Sequence, residues 1–486
     1  MARDRPHPHA RFSLVPHSER AKATLRHPAN AHRLSNISDD PHSIPTYALD
    51  VGFHIGSESR YTLATIGRSG DIVVEGADIS RIQCSFEVPE LNQDEVMLQD
   101  RSSLHNTQFH GETAVSFEPG RIPRRVVIDP SINLLLGFGG AGCDSYLFRI
   151  VWHDRLEVNV PKLISFREDN PRLARTVVDE DPTTMTPSDR ATRLHIPASE
   201  NLQPIRYSTR RKLGRGAFGE VYSVINIDTG KLLAVKKVKR PDARDHHGCM
   251  MLQREIDALT AISHKHIIEY LQAELEEEHV LIFMEHKTGN VEQLIRQNMF
   301  VKKPALVETL LHEMLQALDY LSYNGIIHRD VKPANILFDP VSHPGEEERF
   351  TYKLADFGIV NIASQARTCV GTDIYRAPEV KPDAPQTTKV DIWSLFVTVA
   401  CALDAGGFQG KRKLTQKSTI EAIQAAANTT MLQHLRPMAE IDPNQRASAA
   451  DILTWFFRGV GRTTPSGANG TPGPGPGGMF QGPAKG

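Results

Sequence analysis

The chain divides into stretches with different patterns of hydrophobic and polar residues. Between residues 47 and 155, short runs rich in β-branched and aromatic side chains, for example 61–67 (YTLATIG) and 145–152 (SYLFRIVW), alternate with turn-forming residues. Closely spaced strands of this kind are typical of an all-β sandwich. From residue 205 to residue 458, strand-like runs come first and helical patterns follow, which predicts a separate α+β domain.

Three further stretches show neither pattern. Residues 1–46 are rich in His, Arg and Pro, which predicts a disordered arm. Residues 156–204 mix charged residues with Pro and Thr, as a linker does. Residues 459–486 form a Gly- and Pro-rich tail of low complexity, which cannot bury a core and is also expected to be disordered. The expected organisation is therefore multidomain, with two folded domains.

The composition is that of an ordinary soluble globular protein. With 486 residues, of which 40% are hydrophobic and 23% charged, the chain can form two or three cores. Its net charge of -2 gives no reason to expect nucleic acid or a membrane as a partner. The longest apolar run, 393–403, is far shorter than the ~20 residues that a membrane-spanning helix needs.

Cysteine usage and the first residues favour an intracellular location, in the nucleus or the cytoplasm. The five cysteines are scattered without a paired spacing, as in proteins whose thiols stay reduced. The first twenty residues are interrupted by Pro, His and Arg and contain no apolar core, so a signal peptide is not expected.

A glycine-rich run at 213–221 (LGRGAFGEV) is the first candidate for chemistry. Alone, its G-x-G-x-x-G spacing is a weak signal, because many such loops are only tight turns. A dinucleotide-binding loop would follow a strand and open a helix. Here the glycines lie between two strand-like runs, and a third such run carries Lys236. Glycines let backbone N–H groups approach phosphates closely, and Lys236 can reach the same phosphates.

From this point the motifs resemble those of the eukaryotic protein kinases. The resemblance implies a bilobal fold, with an N-lobe at 205–285 and a C-lobe at 288–458. It also implies ATP as a substrate, Mg²⁺ as a cofactor, and a pair between Glu255 on a helix and Lys236. The ATP-binding residues expected from the resemblance are Leu213, Gly214, Arg215, Gly216, Ala217, Phe218, Gly219, Glu220, Val221, Lys236, Glu255 and Glu285.

The catalytic loop of that family is matched at 326–337 (IIHRDVKPANIL). By resemblance, Asp330 accepts the proton of a substrate hydroxyl and Lys332 steadies the transferred phosphoryl group. Asn335 is expected to act both as a catalytic residue and as a Mg²⁺ ligand. Asp356, in the sequence LADFG, is the other expected Mg²⁺ ligand. These residue types suit phosphoryl transfer, which needs in-line positioning and positive charge against developing negative charge more than covalent chemistry.

Other positions specify the class of kinase. Lys332 and Thr372 resemble the serine/threonine class, so the expected substrates are proteins with serine or threonine. Arg329, which precedes Asp330, implies control by phosphorylation of the activation loop, for which Thr368 is the first candidate.

The C-lobe completes the resemblance and also departs from it at Phe396 and in the short, irregular stretch that follows. Glu379 is expected to pair with Arg446, and Asp391 is expected to support the catalytic loop. Phe396 stands where most kinases have glycine, and an aromatic ring there is expected to change the packing beneath the catalytic loop.

The predicted sandwich resembles the forkhead-associated (FHA) domains, which read phosphothreonine. A Gly-Arg pair that ends at Arg68, a Ser-Arg pair formed by Ser80 and Arg81, and the run 98–109 (LQDRSSLHNTQF) carry the resemblance. It implies that Arg68, Ser80 and Arg81 bind phosphothreonine on partner proteins. Arginine suits this role because its planar fork offers paired donors to phosphate oxygens and stays charged.

Three positions depart from the FHA pattern. Gln83 replaces the histidine that braces the binding loop in that family, His105 replaces the asparagine that grips the peptide backbone, and Asn106 replaces a glycine. Losing one uncharged hydrogen bond costs ~1 kcal/mol, so these changes weaken phosphopeptide reading without abolishing it.

An FHA domain ahead of a kinase domain resembles the fungal checkpoint-type kinases. The first expectation is therefore an active serine/threonine kinase directed by a phosphothreonine reader. The cluster of Ser-Gln and Thr-Gln pairs common in that group is missing from residues 1–46, so the pathway does not follow. Two alternatives stay open: a catalytically inactive phosphopeptide-binding scaffold, and a kinase whose sandwich is only a structural appendage.

Overall fold

The structure is a computed structural model and divides into two compact units. It describes residues 2–38, 45–90, 92–153, 159–167, 203–216, 219–242, 244–245, 248–250, 252–253, 256, 259, 262–341, 347–356, 374–381, 386–410 and 415–465. The first unit lies within 1–192, 202–212 and 222–233, and the second lies within 213–221 and 234–486. In the described part of the chain, no helix is both long and apolar enough to cross a membrane.

The first unit contains two sheets that pack face to face. Its strands are β1 (Ala10–Pro16), β2 (Leu34–Asn36), β3 (Tyr47–Gly52), β4 (Thr62–Gly67), β5 (Ile72–Val73), β6 (Cys84–Glu87), β7 (Val96–Asp100), β8 (Thr107–His110), β9 (Arg125–Ile128), β10 (Leu135–Phe138) and β11 (Tyr146–Trp152). One sheet has the order β2-β3-β1-β11-β10-β8 and the other β5-β4-β6-β7-β9. The rings of Phe12 and Phe86, one from each sheet, lie 5.0 Å apart in the shared core. The predicted all-β sandwich is therefore present.

The predicted disordered arm at 1–46 is wrong for the described residues up to 38. Strand β1 lies between β3 and β11, and Phe12 and Leu14 are fully buried. Helix α1 (Glu19–Arg26) follows, and the side chain of Ser18 caps it by accepting from the N–H of Ala21. This segment therefore contains a strand although polar residues flank it, and one of its two partner strands, β11, lies far along the chain.

The predicted linker at 156–204 and the predicted tail at 459–486 also contain ordered segments. Helix α2 (Val160–Ser165) buries Val160 and Ile164 in the core of the sandwich. Residues 168–202 and 466–486 lie outside the described part of the chain.

After the sandwich, the chain forms a five-stranded sheet of order β12-β13-β14-β16-β15. The strands are β12 (Tyr207–Gly216), β13 (Gly219–Asn226), β14 (Leu232–Lys239), β15 (Tyr270–Leu275) and β16 (His279–Glu285). Ile256, Leu259 and Ile262 are buried in a core that also contains Ala234 and Val238 of β14.

A mainly helical part follows this sheet, which gives the predicted order of a β-rich lobe and a helical lobe. It contains α3 (Val291–Arg296), α4 (Met299–Lys302), α5 (Ala305–Tyr323), α6 (Lys389–Ala402), α7 (Gln416–Ala427) and α8 (Ala449–Phe457), and a small sheet of β17 (Gly289–Asn290), β18 (Ile336–Pro340) and β19 (Phe350–Leu354). In α6 every residue from Val390 to Ala402 is buried, so this helix forms the centre of the helical lobe.

The first residues of the predicted tail lie against α5. Asp319 on this helix is buried, and its Oδ2 accepts from the backbone N–H groups of Thr463 and Thr464 at 2.6 and 2.9 Å. The Thr464 hydroxyl donates to Asp319 Oδ1 at 2.7 Å. The prediction of disorder is therefore wrong for residues 459–465.

Arg446 is a buried charge that joins several parts of the helical lobe. Its Nη1 and Nη2 atoms donate to the two carboxylate oxygens of Glu379 at 2.6 and 2.9 Å, as the sequence predicted. It also donates to the backbone carbonyls of Glu440 and Lys389, each at 2.8 Å, and its guanidinium lies 5.1 Å from the ring centre of Trp393. Only arginine offers this many donors in one plane.

We expect Arg446→Ala to lower the free energy of unfolding of the helical lobe by about 3–5 kcal/mol, because it leaves Glu379 without its cation and removes the donors to the carbonyls of Glu440 and Lys389. Urea unfolding followed by circular dichroism measures the change. The matched control is Arg436→Ala, which removes an exposed arginine 3.9 Å from Glu440 and should change the stability by less than about 1 kcal/mol. Equal effects of the two substitutions would contradict this account.

Glu313 on α5 is a half-buried acid with a shifted pKa. Its Oε2 accepts from the backbone N–H of Tyr352 at 2.6 Å and lies 3.5 Å from His266 Nδ1. Burial raises the pKa of Glu313 to about 7, and burial lowers the pKa of His266 to about 4. Between about pH 4.5 and about pH 7 the folded protein therefore holds a proton on Glu313 that the unfolded chain has released.

Protonated Glu313 therefore stabilises the folded protein at low pH, and this contribution to the free energy of unfolding is lost as the pH rises through about 7. Relative to Glu313→Gln, which cannot ionise, the wild-type free energy of unfolding should fall by on the order of 1–3 kcal/mol between about pH 5 and about pH 8. Urea titrations of both proteins at the two pH values test this. A pH-independent difference between them would show that Glu313 ionises normally.

Candidate active site

The catalytic loop is held by Asp391 in the first turn of α6. Its Oδ2 accepts from the backbone N–H of His328 and its Oδ1 accepts from that of Arg329, both at 2.8 Å. Burial raises the pKa of Asp391, although the two backbone donors oppose this shift. Arg329 has φ of 68°, a left-handed conformation that is unfavourable for a residue with a side chain. The bonds to Asp391 stabilise this conformation.

Asp330, Lys332 and Asn335 form one cluster. The Nζ atom of Lys332 lies 2.9 and 2.8 Å from the two carboxylate oxygens of Asp330. Asn335 Nδ2 donates to the Oδ2 atom and to the backbone carbonyl of Asp330, at 2.8 and 2.9 Å. The backbone carbonyl of Asn335 accepts from the N–H of Ala355 at 2.8 Å, which joins the loop to the end of β19.

Lys236 and Asp356 lie in direct contact. Lys236 is buried on β14, and its Nζ atom forms an ion pair with Asp356 Oδ1. Asp356 follows β19 and has φ of 61°, again in the left-handed region. A contact between residues 120 positions apart in the sequence brings the lysine of the sheet to the acid beside the catalytic loop. Glu255, the predicted partner of Lys236, lies outside the described residues.

The described residues of the glycine-rich run lie at the ends of neighbouring strands. They are Leu213, Gly214, Arg215 and Gly216 on β12, and Gly219, Glu220 and Val221 on β13. A Cβ atom on Gly219 would lie 2.2 Å from the carbonyl oxygen of Lys237, so only glycine fits there. Arg215 Nε lies 3.9 Å from Glu220 Oε1 on the facing strand. Ala217 and Phe218 lie outside the described residues.

Glu285, the last residue of β16, has a carboxylate that is already engaged. Lys287 lies 2.8 Å and Lys353 2.5 Å from its oxygens, and the N–H of Glu269 donates to Oε1 at 2.9 Å. Burial acts to raise the pKa of Glu285, but the bonds from the two lysines outweigh it and the pKa is lowered. The Glu285 side chain therefore joins Lys287 and Lys353, and its part in ATP binding stays a prediction.

The activation-loop residues Thr368 and Thr372 lie outside the described part of the chain. The residue that departs from the kinase pattern, Phe396, is fully buried within α6. Its ring does not prevent the bonds between Asp391 and the catalytic loop, which are present at 2.8 Å. The expected disturbance beneath this loop is therefore not seen in these bonds.

A second candidate site lies on loops of the sandwich. Arg68 follows β4, and its Nε atom donates to the carbonyl of Ile79 at 2.7 Å, which orients the guanidinium and leaves its two terminal nitrogens for other acceptors. The backbone N–H of Arg68 donates to the carbonyl of Ser80 at 3.1 Å. The Ser80 hydroxyl accepts from the N–H of Ser103 at 3.3 Å. Arg68 and Arg81 are both exposed, as an anion site requires.

Gln83 braces the loops around this site. It is fully buried, and its Oε1 accepts from the N–H of Ser80 at 3.1 Å. Its Nε2 donates to Asn106 Oδ1 and to Thr107 Oγ1, at 2.7 and 2.9 Å. Asn106 in turn donates to the carbonyl of Asp78 at 3.1 Å. The glutamine thus joins the loop of Ser80 to the loop after β7, although the sequence suggested that a brace was missing.

Sequence reasoning did not single out His328 as a functional residue. The ring is buried, its Nε2 lies 3.0 Å from the carbonyl of Ala355, and its Nδ1 accepts from the N–H of Asp330 at 3.3 Å. Burial lowers the pKa of His328, so the neutral ring is favoured. Its position two residues before Asp330 was the signal that could have identified it.

Comparison with known proteins agrees with this geometry. The sequence model described as "Protein kinase domain" matches residues 207–457. The mitogen-activated protein kinase kinase kinase MST11 of Pyricularia oryzae is 32% identical over 268 residues, which are 50% of this chain and 28% of that protein. Mitogen-activated protein kinase kinase kinase 2 of Arabidopsis thaliana is 34% identical over 280 residues, 52% of this chain and 41% of that protein. This chain thus spans less than half of either relative.

Among solved structures, a crystal structure of Rad53 1-466 in complex with AMP-PNP covers 80% of this chain and 88% of its own, with a TM-score of 0.50 and 20% identity. At this identity the likeness concerns the fold alone. The match to the protein kinase domain model extends over more than half of the chain and includes each cluster of the candidate active site. This chain therefore belongs to the protein kinase family.

Proposed function

We propose that the protein is an ATP-dependent serine/threonine kinase that acts on other proteins in the nucleus or the cytoplasm. The observation that carries the proposal is the direct contact of Lys236 with Asp356. It brings together a cation and an acid from different lobes. Ala355, the residue before Asp356, donates to the carbonyl of Asn335, which in turn bonds to Asp330. A triphosphate needs positive charge at this point, and a hydroxyl needs a base opposite it.

The residues present fit a divalent cation such as Mg²⁺. Asn335 uses its Nδ2 to donate twice to Asp330, which leaves its amide oxygen as a ligand atom. Asp356 offers carboxylate oxygens, and hard oxygen donors of this kind are what Mg²⁺ prefers. When bound, the ion would neutralise negative charge on the phosphates of ATP.

The remaining steps fall to residues of the chain. Asp330 receives the proton of the serine or threonine hydroxyl, because its carboxylate is the acceptor that Lys332 and Asn335 hold in place. Lys332 brings a positive charge to the side where charge develops on the transferred phosphoryl group. Lys236 exchanges its ion pair with Asp356 for the phosphates, and the backbone of the glycine-rich run covers them.

We expect Asp330→Asn to lower the rate of phosphate transfer from ATP to a library of Ser/Thr peptides by at least ~100-fold, because the amide cannot accept the proton. Incorporation of labelled phosphate measures the rate, and a fluorescent ATP analogue shows that nucleotide binding persists. The control is Arg436→Ala on the exposed surface, which should retain wild-type activity.

The same experiment separates the kinase from the inactive scaffold. Nucleotide binding without transfer in the wild-type protein would favour the scaffold. The bonds from Asp391 to the catalytic loop oppose the scaffold, because the departure from the kinase pattern at Phe396 leaves these bonds intact.

We further propose that the sandwich reads phosphothreonine on partner proteins, as a forkhead-associated domain does, in signalling of the checkpoint type. Arg68, oriented by Ile79, is bonded through its backbone N–H to Ser80, and the carbonyl of Arg81 accepts from the N–H of Ser69, so two arginines and a hydroxyl belong to neighbouring loops. The brace formed by Gln83 supports the proposal, because a preformed site loses less entropy when the peptide binds.

Arg68→Ala should weaken the binding of phosphothreonine peptides by roughly 10- to 150-fold, because each bond to a charged group contributes ~1.5–3 kcal/mol. Fluorescence anisotropy with a phosphothreonine peptide library, and with the same peptides unphosphorylated, measures the loss. Arg149→Ala, an exposed arginine on β11, is the matched control and should bind normally. Affinity that ignores the phosphate, or that survives Arg68→Ala, would reduce the sandwich to a structural appendage.

A further inference from the structure

Arg125 on β9 is a half-buried arginine whose charge is not used within the described part of the chain. Its Nε atom is buried and has no hydrogen-bond partner among the described residues, and its guanidinium forms no ion pair with any of them. Burial and the nearby charge of Arg121 both lower the pKa of Arg125, and no described carboxylate opposes them. Burying a charge without a counter-ion is unfavourable, so this arrangement needs an explanation.

Two arginines close to Arg125 in the sequence do have partners. Arg124 Nη1 lies 2.5 Å from Asp100 Oδ2, and Arg121 Nη1 lies 2.6 Å from Glu118 Oε2. The sandwich thus supplies a carboxylate for each of these two charges. For Arg125 the described residues supply none, which leaves its donors for a ligand from outside.

The side chain of Arg125 lies on the face of its sheet that is turned away from the core of the sandwich. Leu98 and Val126 belong to that core, and side chains alternate along a strand, so Gln99 and Arg125 lie on the opposite face. The two residues are directly paired across β7 and β9. A cavity of about 240 Å³ opens on this face, and its lining includes Tyr61, Glu87, Glu90, Met97, Gln99 and Arg125. All of these residues belong to the first compact unit.

The charges in the lining specify the chemistry of a ligand. Arg125 offers charged donors in a planar fork, which suits an anion. Glu87 and Glu90 line the same cavity, so a phosphate with a charge near -2 would be repelled. A single carboxylate flanked by N–H donors suits both signs of charge. An aspartate or glutamate in an extended peptide presents this combination, because its carboxylate is flanked by backbone N–H groups.

The size and residue types of the cavity favour a protein as the source of this carboxylate. A volume of about 240 Å³ is below the ~300–1,000 Å³ of pockets that enclose drug-sized ligands and cofactors, but it is sufficient for one side chain. Tyrosine, methionine and arginine, which all occur in the lining, are enriched at interfaces between proteins. Tyrosine and arginine are also among the residues that contribute most to binding energy there.

We propose that this cavity binds an acidic side chain, aspartate or glutamate, in an extended segment of a partner protein, with Arg125 as its anchor. The site shares no residue with the loops of Arg68, Ser80 and Arg81, and it needs no phosphate. Arg125 is already half-buried, so it loses little further hydration when the carboxylate binds, and its pairing is screened less than at an open surface. The sandwich then recognises its partners by a second feature, which does not depend on the proposed reading of phosphothreonine.

The test measures the binding of unphosphorylated peptides to the full chain by fluorescence anisotropy. One labelled library of short peptides carries glutamate at a fixed central position, and a second carries glutamine there. We expect the wild type to bind the glutamate library roughly 10- to 150-fold more tightly, as bonds to a charged group imply. Arg125→Gln should remove this preference, and Arg125→Lys, which keeps the charge but loses the fork, should retain part of it. Arg149→Gln, at an exposed position of β11, is the matched control and should bind as the wild type does.

Three results would overturn the proposal. The first is equal binding of the two libraries to the wild type. The second is a preference for glutamate that persists in Arg125→Gln, or that Arg68→Ala removes instead, because the acid would then bind elsewhere. The third is displacement of the library by N-acetylglutamate as efficiently as by unlabelled peptide, because the ligand would then be a small carboxylate and not a segment of a protein.

Thermal unfolding followed by circular dichroism gives a readout that does not depend on the peptide. Because Arg125 pairs with no described residue, Arg125→Gln should unfold at the same temperature as the wild type. A clear fall in that temperature, or a variant that does not fold, would show that the arginine serves the stability of the sandwich and would contradict its assignment to a ligand.

Discussion

The catalytic centre depends on one buried carboxylate, that of Asp391. Two backbone N–H groups, of His328 and Arg329, point at its oxygens, and Arg329 keeps a left-handed backbone that it would otherwise leave. Because the helix that carries Asp391 is buried along its length, the carboxylate cannot move away from the loop. The core of the helical lobe thus fixes the position of Asp330, so the catalytic loop is held as rigidly as the core that carries Asp391.

The sandwich follows the same logic with a neutral side chain. Gln83 is buried and divides its amide between the loop of Ser80 and the loop of Asn106 and Thr107. At both candidate sites, exposed charged residues lie on loops that one buried polar residue holds in place. Such residues are expensive to bury unless every donor and acceptor is paired, and in both places the pairing is with the backbone or side chains of the loop itself.

The sequence predicted most reliably what depends on neighbours along the chain. Asp330, Lys332 and Asn335 lie within six positions, and their short-range pattern was sufficient to anticipate one cluster. The sequence failed where partners are distant: Phe12 is buried because β1 pairs with β11, about 140 residues later, and no local composition reveals that. It also misjudged Gln83, since the replacement of a histidine says nothing about the bonds that a glutamine amide can form from the same place.

The contact of Thr463 and Thr464 with Asp319 carries a consequence for how far this kinase unit extends. The last helix ends at Phe457, yet a carboxylate inside α5 finds its donors six residues beyond that point. A protein shortened at the helix would retain every catalytic group and yet leave the carboxyl group of Asp319 without these three donors. The functional boundary of the domain is therefore set by a polar atom in its interior, several residues after the regular secondary structure has finished.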